Sequence, residues 1–209
     1  MKRKSVFITI VLILVICFST VVWAAVDIVL NGSFTDWADK PSLTDPTGGI
    51  ASGIDIKMVQ WYPDNVNGNL YLYAERLAHN NTDWDFTVYL TGDLGTRRAE
   101  ISYRRANSTV VVQVYDSTNK RILNTSGKWG DSKNVGTKVE FSIPLAMLVS
   151  TTTGGYQINI YIESGTDRAP DAGVITISSV STAPIIMVTG AIVLNVLFVA
   201  YRRKYRVKS

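Results

Sequence analysis

The sequence predicts an all-β protein: a single antiparallel β-sandwich of about nine strands between an N-terminal signal segment and a C-terminal transmembrane helix. Three observations carry this. Between the termini the apolar residues alternate with period two over short segments, as in strands with one buried face, and do not follow the 3.6-residue period of helices. The spacers carry turn chemistry, NGS at 31–33, DNVNG at 64–68, DSTNK at 116–120 and TGG at 153–155. Both ends are apolar runs flanked by basic residues, unlike anything between them.

At the N-terminus Lys2, Arg3 and Lys4 precede SVFITIVLILVICFSTVVW, and Val22 and Ala24 supply the small residues that signal peptidase needs. Residues 1–24 are therefore read as a signal peptide cleaved after Ala24, with retention as a second span the alternative. Cys17 belongs to that run, and Ile16 stands where a lipoprotein would carry a small residue.

Residues 25–179, about 155 in number, are enough for one domain with a sizeable core. The strands expected in order are VDIVL (26–30), IDIKMVQWY (54–62), NLYLYAERL (69–77), DFTVYL (85–90), AEISYR (99–104), TVVVQVY (109–115), KVEFSIP (138–144), YQINIYIE (156–163) and GVITI (173–177). Only FTDWADK, after the first strand, and PLAML, after Ile143, invite a helical turn. TDRAPDAG at 166–173 reads as an edge loop. Alternation assigns faces: Leu70, Leu72 and Ala74 oppose Tyr71, Tyr73 and Glu75; Phe86, Val88 and Leu90 oppose Asp85, Thr87 and Tyr89; Ile158, Ile160 and Ile162 oppose Gln157, Asn159, Tyr161 and Glu163. Val139, Phe141 and Ile143 are expected inward, with Glu140 on the other, inexpensive face.

Residues 180–201 are a short spacer and then a span. From 184 to 201 no residue carries a formal charge, and 18 residues of helix reach roughly 27 Å, close to a bilayer core. The block at 202–209, with Arg202, Arg203, Lys204, Arg206 and Lys208, holds that end in the cytoplasm. The expected localisation is a single-pass cell-membrane protein, domain extracellular and C-terminus cytoplasmic.

The basic balance follows from this layout. Of the 21 basic residues, three lie in the first flank and five in the last, leaving 13 against 17 acidic residues in the domain. A nucleic-acid partner is excluded where its footprint would matter. The domain has no cysteine and one histidine, His79, which removes Cys-His catalysis and zinc sites built on several such ligands. Asp83 and Asp85 flank Trp84, and Asp167 and Asp171 share one loop, but nothing in the sequence aims either pair at a cleft. A haem pair of His79 with Met58 lacks any second supporting feature. No catalysis, cofactor or metal is expected.

Binding is the better-supported class. Trp61 and Tyr62 stand at a strand end, Trp84 begins a strand, Trp129 lies in SGKWGDSK, and Tyr71, Tyr73, Tyr89 and Tyr161 sit on polar strand faces. Rings among hydrogen-bonding side chains suit a sugar, whose C–H face stacks and whose hydroxyls need partners. The competing reading is that tyrosine populates half-exposed strand faces and the tryptophans cap the core.

Several motifs carry a family resemblance. VDIVLNGSFTDWADKP resembles the first strand and turn of sandwich modules related to family-nine carbohydrate-binding (DOMON-like) modules. IDIKMVQWYPDNVNGNLYLYAE is similar to their central hairpin, DFTVYLTGDLG to the strand ending in an acidic turn, and KVEFSIPLAML to a late strand with a helical turn. The resemblance covers roughly 26–178 and makes Trp37 a packing residue. The family's turn often carries two acids that can hold calcium; here Thr91, Gly92 and Asp93 leave one carboxylate. The termini resemble Firmicu-CTERM sorting tails of Gram-positive surface proteins, which implies an exosortase-like sorting enzyme as a partner, although the Pro-Glu-Pro of the better-known relatives is missing. Together these imply a non-catalytic, membrane-anchored surface domain binding glycan or cell-wall polymer. The alternative is a surface scaffold or sorting-system substrate that binds another protein.

Overall fold

The computed structural model describes residues 27–46, 53–77, 82–130, 137–152 and 155–179. The signal segment 1–24, the span at 180–201, the tail 202–209 and His79 lie outside the described residues. Among the described residues no helix is long and apolar enough to cross a membrane.

The architecture is all-β. Its strands are β1 (Ser42–Thr44), β2 (Ile56–Asp64), β3 (Asn69–Arg76), β4 (Trp84–Gly92), β5 (Gly95–Arg104), β6 (Thr109–Tyr115), β7 (Arg121–Trp129), β8 (Lys138–Pro144), β9 (Tyr156–Ser164), β10 (Asp167–Ala169) and β11 (Ile175–Ser179). They form one antiparallel sheet in the order β1-β2-β3-β8-β7-β6-β5-β4-β9-β10, with β11 also on β9. The sheet curls so that its halves face each other across one core: the rings of Phe86 on β4 and Phe141 on β8 lie 6.2 Å apart.

Strand β7 makes the turn between the halves. Its first part pairs with β6 as far as Gly127 opposite Val110, and Lys128 and Trp129 then pair with Glu140 and Val139 of β8. At Gly127 a Cβ would sit 2.6 Å from the Glu140 carbonyl oxygen and 2.9 Å from a Val110 methyl, so the crossing needs a residue without a side chain.

The alternation predicted for the central strands is realised. Phe86, Val88 and Leu90, Val139, Phe141 and Ile143, and Ile158, Ile160 and Ile162 are all buried in the main core, where Ala99 and Ile101 of β5 and Val110, Val112 and Val114 of β6 join them. The FTDW and PLAML stretches form 3-10 turns at Phe34–Trp37 and Leu145–Met147.

Four elements differ from expectation. The expected strand at 26–30 forms no ladder where it is described. Its main chain is held by side chains instead, Val29 N donating to Asp36 Oδ2 and Asn31 N to Glu140 Oε1, each at 2.8 Å. Strands β1, β7 and β10 were not legible. Two have three residues, too few for a period, and β7 is mostly exposed, so nothing forces it to alternate.

The segment 27–40 instead packs over the outward face of β3 and β8. Ile28, Trp37 and Tyr73 form a second small core there, lined by Leu30, Phe34, Met58, Tyr62 and Tyr71. Glu140, expected on an inexpensive outer face, is fully buried beneath it and accepts from Asn31 N, Gly32 N and Trp37 Nε1, all at 2.8 Å.

Candidate functional site

The eight aromatic candidates separate into three environments. Three serve the main core. Trp84 is 1% exposed, its Nε1 donates to Ser164 Oγ at 2.9 Å and its ring lies 4.4 Å from Phe86; burial corrects the expectation that it faces a ligand. Trp61 and Trp129 are half-buried against the same core, and Trp129 Nε1 donates to the Ser108 carbonyl at 2.8 Å while its ring tilts against Tyr103.

Three more lie on the half that segment 27–40 covers. Tyr73 is buried between Phe34 and Trp37, with its hydroxyl donating to Glu75 Oε2 at 2.8 Å, so it too is corrected from a ligand-facing to a packing residue. Burial, then hydrogen bonding to the Glu75 carboxylate, pushes the Tyr73 phenol far up. Tyr62 and Tyr71 are cross-strand partners with rings 6.5 Å apart, half-buried at the margin of that small core, and Lys40 Nζ lies 4.3 Å from the Tyr62 centroid.

Tyr89 and Tyr161 stand on the uncovered outward face of β6-β5-β4-β9. Register makes them direct partners, and their rings stack at 4.6 Å with 13° between planes. The row continues on both sides. Tyr115 of β6 is opposite Arg98 of β5, and Arg98 is opposite Tyr89. Arg98 Cζ lies 5.0 Å from the Tyr115 centroid, and Arg168 Cζ of β10 lies 4.3 Å from the Tyr161 centroid. Five planar groups thus cross the sheet as Tyr115, Arg98, Tyr89, Tyr161 and Arg168, all half-exposed.

Two polar rows flank this one, because side chains two residues along a strand share a face. On one side run Gln113, Glu100, Thr87, Glu163 and Arg168; on the other Thr96, Thr91, Asn159 and Thr176. Arg98 Nη2 pairs with Glu100 Oε1 at 3.1 Å, and the Tyr115 hydroxyl donates to Gln113 Oε1 at 3.0 Å. Burial, then the Glu163 charge, raises the Tyr89 phenol, so it remains a hydrogen-bond donor at neutral pH. Tyr161 has Tyr89 on one face and Arg168 on the other. A ligand on this platform therefore meets ring edges, phenol hydroxyls and guanidinium N–H groups rather than a bare aromatic face. Register brings Arg98 and Tyr115 into the row, and Arg168, opposite Glu163 in the neighbouring row, reaches diagonally over the Tyr161 ring; neither relation is visible in sequence spacing.

The acids sort differently. Asp85 Oδ1 pairs with Arg104 Nη1 at 2.7 Å and Asp83 Oδ1 accepts from Arg105 N at 2.9 Å, so both hold a turn at the exposed surface. Asp93 accepts from the Ser150 backbone N at 2.9 Å and from its hydroxyl. Asp167 and Asp171 meet Asp45, a residue the sequence did not single out; one carboxylate oxygen from each lies within 4.8 Å of the others. That group has the oxygen chemistry of a metal site. Comparison of the chain with protein-family models, curated proteins and solved structures finds no match.

Proposed function

We propose that the domain is a non-catalytic glycan-binding module whose platform is the outward face of β6-β5-β4-β9. The observation that carries this reading is the row Tyr115, Arg98, Tyr89, Tyr161, Arg168, bordered by rows of amides, hydroxyls and carboxylates. Stacked phenols and guanidinium groups hold one another rigid, so little side-chain entropy is lost when a ligand arrives. Donors of Tyr and Arg beside acceptors of Glu, Asn and Gln match the hydroxyls of a sugar chain.

A protein-docking scaffold would instead show a contiguous apolar patch. The large exposed apolar residues among those described, Val29, Val66, Leu77, Leu94, Val111 and Val174, come from six separate segments, and Val111 of β6 and Val174, just before β11, lie at opposite edges of the platform. In the same proposal the apolar run at 184–201 anchors the protein, placing the platform outside the cell. The test is a glycan array probed with the full-length protein and including acidic cell-wall polymers. Binding that disappears in Tyr89→Ala and Arg168→Ala proteins with unchanged melting supports the reading; no binding to any neutral or acidic glycan overturns it.

A further inference from the structure

The curl of the sheet leaves a seam where its two ends approach, and four aspartates collect there. Asp45 follows β1, Asp55 precedes β2, Asp167 opens β10 and Asp171 lies in the loop beyond it. Ile56 N donates to Asp167 Oδ2 across the seam at 2.5 Å, and on the near side Asp45 N continues the β1–β2 pairing by donating to the Lys57 carbonyl at 3.0 Å. Asp45, Asp55 and Asp167 are 3%, 2% and 5% exposed, whereas Asp171 faces solvent.

None of the four aspartates forms an ion pair among the described residues. Among the described residues the nearby cations are engaged elsewhere: Lys57 Nζ pairs with Glu75 at 2.7 Å, and the Arg168 guanidinium donates to the carbonyls of Pro170, Asp171 and Gly173 while lying over Tyr161. Most telling, Asp45 Oδ2 and Asp55 Oδ2 are buried with no hydrogen-bond partner among the described residues. A buried carboxylate oxygen without a donor costs folding free energy unless a cation or a proton satisfies it. Burial first, then the charges of Asp171, Asp167 and Asp55, push Asp45 up to about 6, the response expected of an acid crowded by acids.

We propose that Asp45, Asp167 and Asp171 bind a calcium ion, with Asp55 adding negative charge beside it. The donor set is all oxygen, which selects a hard cation over zinc or copper. Two oxygens that share one calcium, each at about 2.3–2.6 Å, lie up to roughly 5 Å apart, and the observed spread of 4.8 Å or less falls inside that limit. The exposed side of Asp171 leaves an approach for the ion and room for its water ligands. Magnesium demands shorter, near-octahedral geometry and fits a loop-borne trio less well. Binding would tie the end of β1 to β10, locking the seam by charge where no strand ladder joins β2 to β10. This inference is independent of the glycan reading, since its assay contains no sugar.

The test uses the full-length chain stripped with EDTA, then titrated with calcium chloride or magnesium chloride in a calorimeter and melted in each. Calcium is expected to bind and to raise Tm by about 5 °C or more, with a smaller response to magnesium. Asp171→Asn, at an exposed position that the fold tolerates, should weaken calcium binding by about tenfold or more. Asp45→Asn should melt higher than the unsubstituted chain in EDTA, because a buried charge is gone, and should lose the calcium response. The proposal is overturned by no heat and no Tm change at about 10 mM calcium, by an equal or larger response to magnesium, or by undiminished calcium responses in both variants.

Discussion

Trp37 Nε1 donates to Glu140 Oε2 at 2.8 Å across 103 positions of sequence, joining the 3-10 turn of the leading segment to the middle of β8. The other oxygen of Glu140 accepts from two consecutive backbone amides, Asn31 N and Gly32 N. One buried carboxylate therefore organises the whole segment that covers this half of the sheet. Removing it strands the buried Trp37 indole N–H and two part-buried backbone amides, the buried one alone worth about 1–3 kcal/mol when left unpaired. Glu140→Ala is expected to cost about 3–5 kcal/mol in chemical denaturation, with Trp37→Phe costing less because only one donor is lost.

Phe141, next in the chain, faces the opposite way and bridges the halves of the core to Phe86. Phe141→Ala is expected to cost about 3–5 kcal/mol through the cavity it leaves. Similar losses at positions 140 and 141 would show that both faces of β8 are buried, whereas a negligible loss at 140 would contradict the covering segment.

Gly127→Ala tests the crossing of β7. The added Cβ meets the Glu140 carbonyl at 2.6 Å and the Phe141 Cβ at 3.0 Å, neither the free end of a side chain. A loss of about 1–3 kcal/mol is expected. Ala at Gly68, where nothing lies within 4 Å of the new atom but φ is +69°, supplies a comparison strained by backbone conformation alone.

On the platform, Tyr89→Ala or Tyr161→Ala should remove about 1–2 kcal/mol of glycan binding while melting stays near that of the unsubstituted protein. Trp84→Ala should do the reverse and unfold the domain first, since that ring is core. If Trp84 and Tyr89 variants lost binding and stability in parallel, the platform would have no separate role.

The seam aspartates give a pH signature in calcium-free buffer. Asp45 has a folded pKa of about 6 against an ordinary 3.8, so between those values the native state holds a proton that the unfolded chain has released. Stability from this group is greatest below about pH 4, falls as pH rises to about 6 and is level above that. Denaturation midpoints measured from pH 4 to 7 should fall along this slope in EDTA, and the slope should shrink in Asp45→Asn.

How much of this was legible differs by region. For β4 and β9 the alternation named the buried face residue by residue, because one side of each strand meets the core and the other meets water. Of the site, Tyr89 and Tyr161 were legible as aromatics on a polar strand face, but their stacking on each other was not. Trp84 was misjudged because a tryptophan at a strand start gives the same sequence signal whether its ring turns in or out. Tyr73 and Glu140 were misjudged for another reason: their strands alternate correctly, yet the supposedly free face is covered by residues 27–40.

Local period, turn chemistry and composition were enough to specify the class of fold, the inward residues of the long strands, the two 3-10 turns beside them and the mildly acidic balance of the domain. Tertiary structure alone decided which outward face stayed open, which five planar groups line up across it, and that Asp45 and Asp55 meet Asp167 and Asp171. Those outcomes depend on cross-strand register and on the curl that brings the ends of one sheet together. Contacts between segments so far apart in the chain leave no periodic trace in the order of residues.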